Sequence, residues 1–170
     1  MPVLIRENDW VLETTHTAYA FGVTPGGLLV HTYWGARLTR AEDYPTPADL
    51  ASWASFSGAS HGMQEEYPAY AGTKYTEPCL KTTFADGVRD TVLRFAGAEI
   101  LEGDKPVVRV TLRDAYYPLE ILVCYRMHEQ HDLVERWVEV KNTGDTALNL
   151  ERDFTALWHL PWGGQYRLSY

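Results

Sequence analysis

The sequence has no long apolar run, no basic cluster and no leader-like N-terminus. No segment approaches the about 18 consecutive apolar residues that cross a bilayer, and residues 1–6 lack the basic region and apolar run of a secretory signal. The 15 lysines and arginines are outnumbered by 23 aspartates and glutamates, so the net charge is −8. The clustered cations that phosphate backbones require are therefore missing. We expect a soluble, cytoplasmic chain that binds neither nucleic acid nor a membrane.

Cysteine is scarce as well. Cys79 and Cys124 are the only two, and each falls inside a predicted strand. In a cytosolic chain such cysteines are usually buried free thiols that pack as small apolar groups. We therefore predict two buried thiols, with a disulfide between them as the alternative.

Catalytic motifs are missing too. The sequence contains no P-loop, no GxGxxG fingerprint and no GxSxG elbow. His128 and His131 are three residues apart, whereas the zinc motif HExxH needs them four apart on a helix, so we predict a surface turn. The adjacent Glu65 and Glu66 point to opposite sides of an extended chain and do not form a glycosidase pair. We predict that both pair with an arginine or with backbone amides, and that the chain holds no catalytic residue, metal or cofactor.

The sequence is rich in strand patterning. Apolar residues recur at every second position of two segments, which is the period that places them on one face of a sheet. These residues are Leu119, Ile121, Val123, Tyr125 and Met127 in the first segment, and Val134, Val138 and Val140, opposite Glu135, Trp137 and Glu139, in the second.

Further strands are predicted along most of the chain. Residues 3–34 contain three or four short ones, and 79–84 and 88–95 one each, the latter followed by Gly97. Residues 142–145 have the composition of a hairpin turn, from which 147–154 would return. Many strands without a convincing amphipathic helix predict an all-β fold, an antiparallel two-sheet β-sandwich, in a single domain over residues 1–170.

Residues 36–63 interrupt the strand pattern. Prolines, serines and glycines are dispersed there among aromatic residues, and two X-Pro bonds at Pro68 and Pro78 favour extended geometry further on. A loop of this length inside a compact domain is usually functional or docked on something. We predict a long loop over residues 36–76.

The residues in and around this loop resemble a known family. Residues 65–87 (EEYPAYAGTKYTEPCLKTTFADG) are similar to the signature of the N-terminal domain of family 36 α-galactosidases, and residues 29–35 (LVHTYWG) resemble its early strand. Further matches follow in the family's order at 116–120, 134–138, 141–145 and 159–166. The similarity covers nearly the whole chain.

The resemblance implies a large β-sandwich of the supersandwich, galactose-mutarotase-like kind, placed before a (β/α)8 barrel. It also implies hydrolysis of terminal α-linked galactose from raffinose, stachyose and melibiose with retention, by two aspartates on that barrel. The barrel's motifs do not occur in this sequence. We therefore expect the barrel to lie outside this chain, and the chain to be an inactive piece of a longer enzyme.

Members of the family are commonly homotetramers in which a loop of this domain reaches the active-site mouth of the neighbouring subunit. Residues 36–76 match that loop. The resemblance therefore implies that the barrel, a neighbouring subunit and galactosides are the partners, with Trp53, His61 and Tyr67 as candidate residues of the mouth.

Two other functions remain compatible with the residues. A free-standing carbohydrate-binding β-sandwich module would use the aromatic residues, 13% of the chain, to stack on sugars. A small mutarotase-like enzyme would need an acid and a base on one concave face, for which the candidates are His31 or His159 with Glu120. Sugar affinity of the isolated chain would favour the first, and such a pair hydrogen-bonded in an open cleft the second.

Overall fold

The computed structural model describes residues 3–50, 62–72, 74, 76–160 and 163–167. Two short 3-10 turns, Ala41–Asp43 and Glu129–His131, are the only helical pieces within this part. No helix in it has the length and apolarity that a membrane crossing needs. Its strands are β1 (Val3–Arg6), β2 (Asp9–Glu13), β3 (Thr17–Val23), β4 (Leu29–Ala36), β5 (Leu80–Thr83), β6 (Leu93–Leu101), β7 (Val107–Asp114), β8 (Leu119–His128), β9 (Leu133–Asn142) and β10 (Asn149–Asp153).

The strands form two antiparallel sheets of four strands each. The first sheet has the order β1-β2-β3-β4 and the second the order β6-β7-β8-β9, while β5 and β10 form a separate antiparallel pair. Each large sheet pairs strands that follow one another in the sequence, so short turns suffice to connect them. The prediction of an all-β, antiparallel two-sheet sandwich is confirmed.

The inner face of the second sheet follows the predicted alternation. All five apolar residues predicted to share one face of β8 are buried, with Ile121 and Val123 fully so. The β9 valines lie beside them in register, with Val123 opposite Val138. On the outer face, Cys124 is buried with Leu122 against Trp137. Both cysteines are buried free thiols, as predicted.

Aromatic rings join the two sheets across the core. Phe21 of β3 stacks on Tyr125 of β8, with 4.2 Å between ring centroids and 18° between planes. Trp10 of β2 stacks on the same phenylalanine at 5.6 Å. Such large rings bury much apolar area per residue, and they make this contact the centre of the sandwich.

The first part of the long loop covers the outer face of the first sheet. Every residue of β2 is buried: Trp10 and Leu12 face the main core, and Val11 on the outer face packs beside Tyr44 of the loop. The Tyr44 hydroxyl donates to Glu13 at 2.9 Å and accepts from the Leu38 amide at 2.9 Å. This part of the loop is therefore docked on its own sheet.

Two predicted strands differ from the structure. The segment 88–95 is not a separate strand that ends before Gly97: β6 begins at Leu93 and passes through that glycine, where a bulge shifts its register with β7. The segment after residues 142–145 does not return as a hairpin partner of β9, because β10 pairs with β5 instead. Pairings between strands far apart in sequence leave no local signal.

One carboxylate links the two sheets at one end of the sandwich. Asp132, in the turn between β8 and β9, accepts from the Thr14 hydroxyl, the His16 amide and the His16 imidazole at 2.8 Å each. Hydrogen bonds, chiefly from the His16 ring, lower the pKa of Asp132 to about 2. The histidines at 128 and 131 flank a turn here, as predicted.

Candidate functional site

The site centres on residues 64–70, which we call the loop anchor. Its first part runs alongside β4, with the His31 amide donating to the Gln64 carbonyl at 2.7 Å and the Glu66 amide donating to the Leu29 carbonyl at 3.0 Å. Glu65 and Val30 form an antiparallel bridge. The anchor therefore extends the first sheet by a short piece of strand.

The second part of the anchor is fixed to the small sheet. The Cys79 amide donates to the Pro68 carbonyl at 2.7 Å, and the Tyr70 amide donates to the Leu80 carbonyl at 2.9 Å. Proline cannot donate a backbone hydrogen bond, so here it serves through its carbonyl alone. Both ends of the anchor are thus bound to strands.

The Glu66 carboxylate is fully buried and has four side-chain partners. Its Oε1 accepts from the Tyr19 hydroxyl at 2.6 Å and lies 3.3 Å from the His31 Nδ1. Its Oε2 accepts from the Tyr125 hydroxyl at 2.7 Å and from the Arg136 guanidinium at 2.6 Å. These partners come from both large sheets, so one side chain ties the anchor to the whole sandwich.

The charge of this cluster is stabilised internally. Burial opposes ionisation of Glu66, but the Arg136 guanidinium and hydrogen bonds from His31 and Tyr19 hold its pKa at about 2. Burial and the neighbouring carboxylate raise the pKa of Tyr19 and Tyr125, so both hydroxyls remain protonated donors. Arg136 also donates to the Glu66 backbone carbonyl at 2.6 Å. A buried charge is tolerable when it is paired and hydrogen-bonded in this way.

The two adjacent glutamates point to different partners, as predicted. Glu65 forms an ion pair with Lys74 at 2.8 Å, and Glu66 pairs with Arg136. Glu66 therefore pairs with an arginine, as predicted, whereas the partner of Glu65 is a lysine and not an arginine or a backbone amide. Sequence reasoning missed Arg136 itself, although it stands between Val134 and Val138 on the apolar face of β9, and a charge in that position indicates a buried partner.

An aromatic shell lies over the cluster. Tyr19 contacts the indoles of Trp34 and Trp158 edge-on, at centroid distances of 6.1 and 6.0 Å. The rings of His31 and His159 stack at 5.7 Å, and His159 Nε2 lies 3.2 Å from the Glu65 carbonyl. Through His159, residues 154–160 after β10, which we call the C-terminal segment, pack against the loop anchor.

Of the three predicted mouth residues, only Tyr67 lies within the described residues. It is 2% exposed, and its hydroxyl donates to Asp153 at 2.6 Å. Its ring belongs to the main core. In this chain Tyr67 therefore fixes the loop anchor to β10, while a substrate contact stays a prediction. Trp53 and His61 lie outside the described residues.

The alternative acid and base do not meet. Glu120 forms an ion pair with Arg113 at 2.9 Å, whereas His31 and His159 bond to the loop anchor. Across the described residues, no group of three or more histidines, cysteines, aspartates and glutamates is placed to hold a metal ion. The geometry therefore gives no support to a mutarotase-like pair.

Acidification is expected to remove the stabilisation that the Glu66 carboxylate provides. Because folding lowers its pKa from an ordinary 4.5 to about 2, the unfolded chain binds the proton first. The stabilisation is complete above pH 4.5 and is lost as the pH falls toward 2. The shift corresponds to roughly 3 kcal/mol.

Urea unfolding of the wild type and of Glu66→Gln, from neutral pH down to about 3, measures this effect. The difference between their free energies of unfolding should narrow below pH 4.5. Other carboxylates titrate in both proteins and cancel. A difference that stays constant over this range would show that ionisation of Glu66 is not coupled to folding.

The order of these features along the chain agrees with one family of known proteins. The sequence profile of the glycosyl hydrolase family 36 N-terminal domain matches residues 27–170. The chain belongs to this family. The match includes β4, the loop anchor and the strands that carry Tyr125 and Arg136, so all members of the cluster around Glu66 except Tyr19 lie within it.

Two individual proteins named as α-galactosidases are similar to the chain. The chain is 26% identical to the bifunctional α-galactosidase/sucrose kinase AgaSK of Mediterraneibacter gnavus, over 89% of its own length and 19% of that protein. It is 26% identical to the α-galactosidase AgaA of Geobacillus stearothermophilus, over 83% of its own length and 22% of that protein. It therefore spans about a fifth of the length of these relatives.

Solved structures share the fold. The family 36 α-galactosidase AgaB of Geobacillus stearothermophilus matches with a TM-score of 0.79 and 21% identity, over 91% of this chain and 24% of that one. AgaA matches with a TM-score of 0.74 and 22% identity, over 86% of this chain and 24% of that one. Variants of AgaA have been solved in complex with raffinose and with stachyose.

Proposed function

We propose that the chain is the non-catalytic N-terminal β-sandwich of a larger retaining α-galactosidase that acts on terminal galactosides of the raffinose and melibiose type. The observation that carries this proposal is the family match over residues 27–170, together with a coverage of 19% and 22% of two relatives that are α-galactosidases. The catalytic (β/α)8 barrel is then a separate part of the enzyme.

The carboxylates of the loop anchor support a non-catalytic role. A retaining glycosidase needs two carboxyl groups about 5–5.5 Å apart on either side of an accessible bond. Glu66 is fully buried, and its pKa of about 2 keeps it from acting as an acid. Glu65 is committed to Lys74. Neither group is available to a substrate.

Within the enzyme we assign the domain three roles: support of the barrel, contact with a neighbouring subunit of a tetramer, and shaping of the active-site mouth. Residues 37–50 and the loop anchor are held on the sandwich on either side of residues 51–61. The Asp49 carboxylate accepts from the Gly26 amide at 3.0 Å on one side, and Glu66 fixes the other. This arrangement supports Trp53 and His61 as mouth residues presented from a rigid base.

The 170-residue chain alone is expected to hydrolyse no α-galactoside. A chromogenic α-galactoside assay tests this, with AgaB as the positive control and the chain at a large molar excess over it. Turnover that follows the chain through purification would overturn the assignment of catalysis to a separate barrel.

A free-standing carbohydrate-binding module is the second candidate function, because Trp34 and Trp158 are exposed beside the loop anchor.

A further inference from the structure

Two tryptophans from distant parts of the chain contact each other at the surface above the Glu66 cluster. Trp34 at the end of β4 is 38% exposed, and Trp158 in the C-terminal segment is 46% exposed. Their ring centroids are 5.6 Å apart, with 42° between the planes. We call this pair the indole platform. Exposed aromatic rings in contact with each other are unusual on a surface that has only water to face.

A β-bulge places Trp34 in this position. In the pairing of β3 with β4, Ala20 faces Tyr33 and Phe21 faces His31, which leaves Thr32 as the additional residue. Because of this extra residue, His31 and Trp34 both lie beside Tyr19, although they are three apart along a strand. Tyr33 points to the other face, where it contacts Tyr44. Bulges that re-aim a side chain are found preferentially next to functional sites.

The platform rests on a rigid base. The buried Tyr19 ring touches both indoles edge-on, at 73° to Trp34 and 79° to Trp158. The Arg136 guanidinium lies 5.7 Å from the centre of the Trp158 ring. Both Tyr19 and Arg136 are bonded to the Glu66 carboxylate. The rings are thus held in place before any ligand arrives, which lowers the entropy lost on binding.

Polar groups border the platform. The stacked imidazoles of His31 and His159 each use one nitrogen to bind the loop anchor. The His31 side chain is only 7% exposed, so it does not face the surface. Among the described residues, no group bonds to the second nitrogen of His159 or to the indole N–H of either tryptophan. An aromatic surface edged by such groups suits a neutral ligand with one apolar face and several hydroxyls.

We propose that the indole platform binds a pyranose ring of a galactoside, whose C–H face stacks on the indoles while its hydroxyls bond to the His159 imidazole. The choice of sugar rests on the proposed function, because AgaA binds raffinose and stachyose. The platform lies on β4 and the C-terminal segment. It needs no catalytic barrel in order to bind.

Saturation-transfer NMR and calorimetry with raffinose and methyl α-galactoside test the proposal on the 170-residue chain. We expect saturation transfer to the sugar ring protons and weak affinity. Trp34→Ala and Trp158→Ala should each reduce the affinity at least about fivefold, as expected for the loss of one aromatic contact. Trp158→Phe should retain most of the binding, which separates loss of the ring from loss of folding.

The matched control is Tyr116→Ala, which removes an aromatic ring that is 81% exposed in the turn between β7 and β8, outside the platform. This variant should bind like the wild type. Absence of transfer and of heat at tens of millimolar sugar would overturn the proposal. So would a change of oligomeric state in the Trp34 and Trp158 variants without sugar binding, because the platform would then be a protein contact.

The outcomes separate this proposal from the proposed function. If the chain binds no sugar and hydrolyses no α-galactoside, the proposal of a sugar site on the indole platform is wrong, and the proposal of a non-catalytic domain is retained. If the chain hydrolyses the substrate, the assignment of catalysis to a separate barrel fails, whatever the platform variants bind.

Discussion

Glu66→Gln is expected to destabilise the folded chain by about 3–5 kcal/mol, because it leaves Arg136 as a buried charge without its counter-ion. The two side chains are 0% and 1% exposed. In the wild type, the hydroxyls of Tyr19 and Tyr125 donate to different oxygens of the carboxylate. An amide replaces one of these oxygens by an NH2 group, which faces one of the two hydroxyls with a second donor. Urea unfolding at neutral pH, followed by near-ultraviolet circular dichroism, measures the change.

Glu151→Gln is the matched control for this substitution. Glu151 also forms an ion pair with an arginine, Arg89, but its side chain is 29% exposed and that of the arginine 47%. Surface pairs contribute little to stability because water and salt screen them. If Glu66→Gln lowers the free energy of unfolding no more than the control does, the buried pair is not what stabilises the loop anchor.

Arg136→Met should also lower the free energy of unfolding. The double variant, Glu66→Gln with Arg136→Met, should lower it by less than the sum of the two single effects.

Phe21→Ala is expected to cost about 3–5 kcal/mol through loss of buried area and the cavity it leaves. Phe21 is fully buried between Trp10 and Tyr125, and it is the ring through which the first sheet stacks on the second. Thermal and urea unfolding should both report the loss.

Phe154→Ala serves as the control, because this ring is 53% exposed and packs against Arg152 at the surface. It should change the free energy of unfolding far less than Phe21→Ala. Equal effects of the two substitutions would mean that the stack between the sheets is not the main contact across the sandwich.

The strands with simple alternation could be predicted from the sequence. In β8, five apolar residues share the buried face, because a period of two leaves only one way to turn them toward the core. The outer face of the first sheet was less predictable. Val11 and Ala20 are buried there because Tyr44 and its neighbours fold back over them, and such tertiary covering has no local pattern.

The candidate site, too, could be predicted from the sequence only in part. The roles of Glu65 and Glu66 as structural carboxylates followed from their adjacency, but their partners Lys74 and Arg136 did not. The bulge at Thr32 could not be predicted either, because bulges depend on the pairing of two strands and not on one segment. The pairing of β10 with β5 was missed for the same reason. Resemblance to the family supplied what residue patterns could not, namely the family to which the domain belongs.

The bonds of Glu66 join parts of the chain that are far apart in sequence. Tyr19 is 47 residues away, Tyr125 is 59 and Arg136 is 70. Closing such long loops costs entropy before any contact compensates for it, so we expect these bonds to form late in folding, after both sheets have assembled. Interactions absent from the folding transition state act on the unfolding rate alone. We therefore expect the cluster to set how long the native sandwich persists, and not how quickly it is reached.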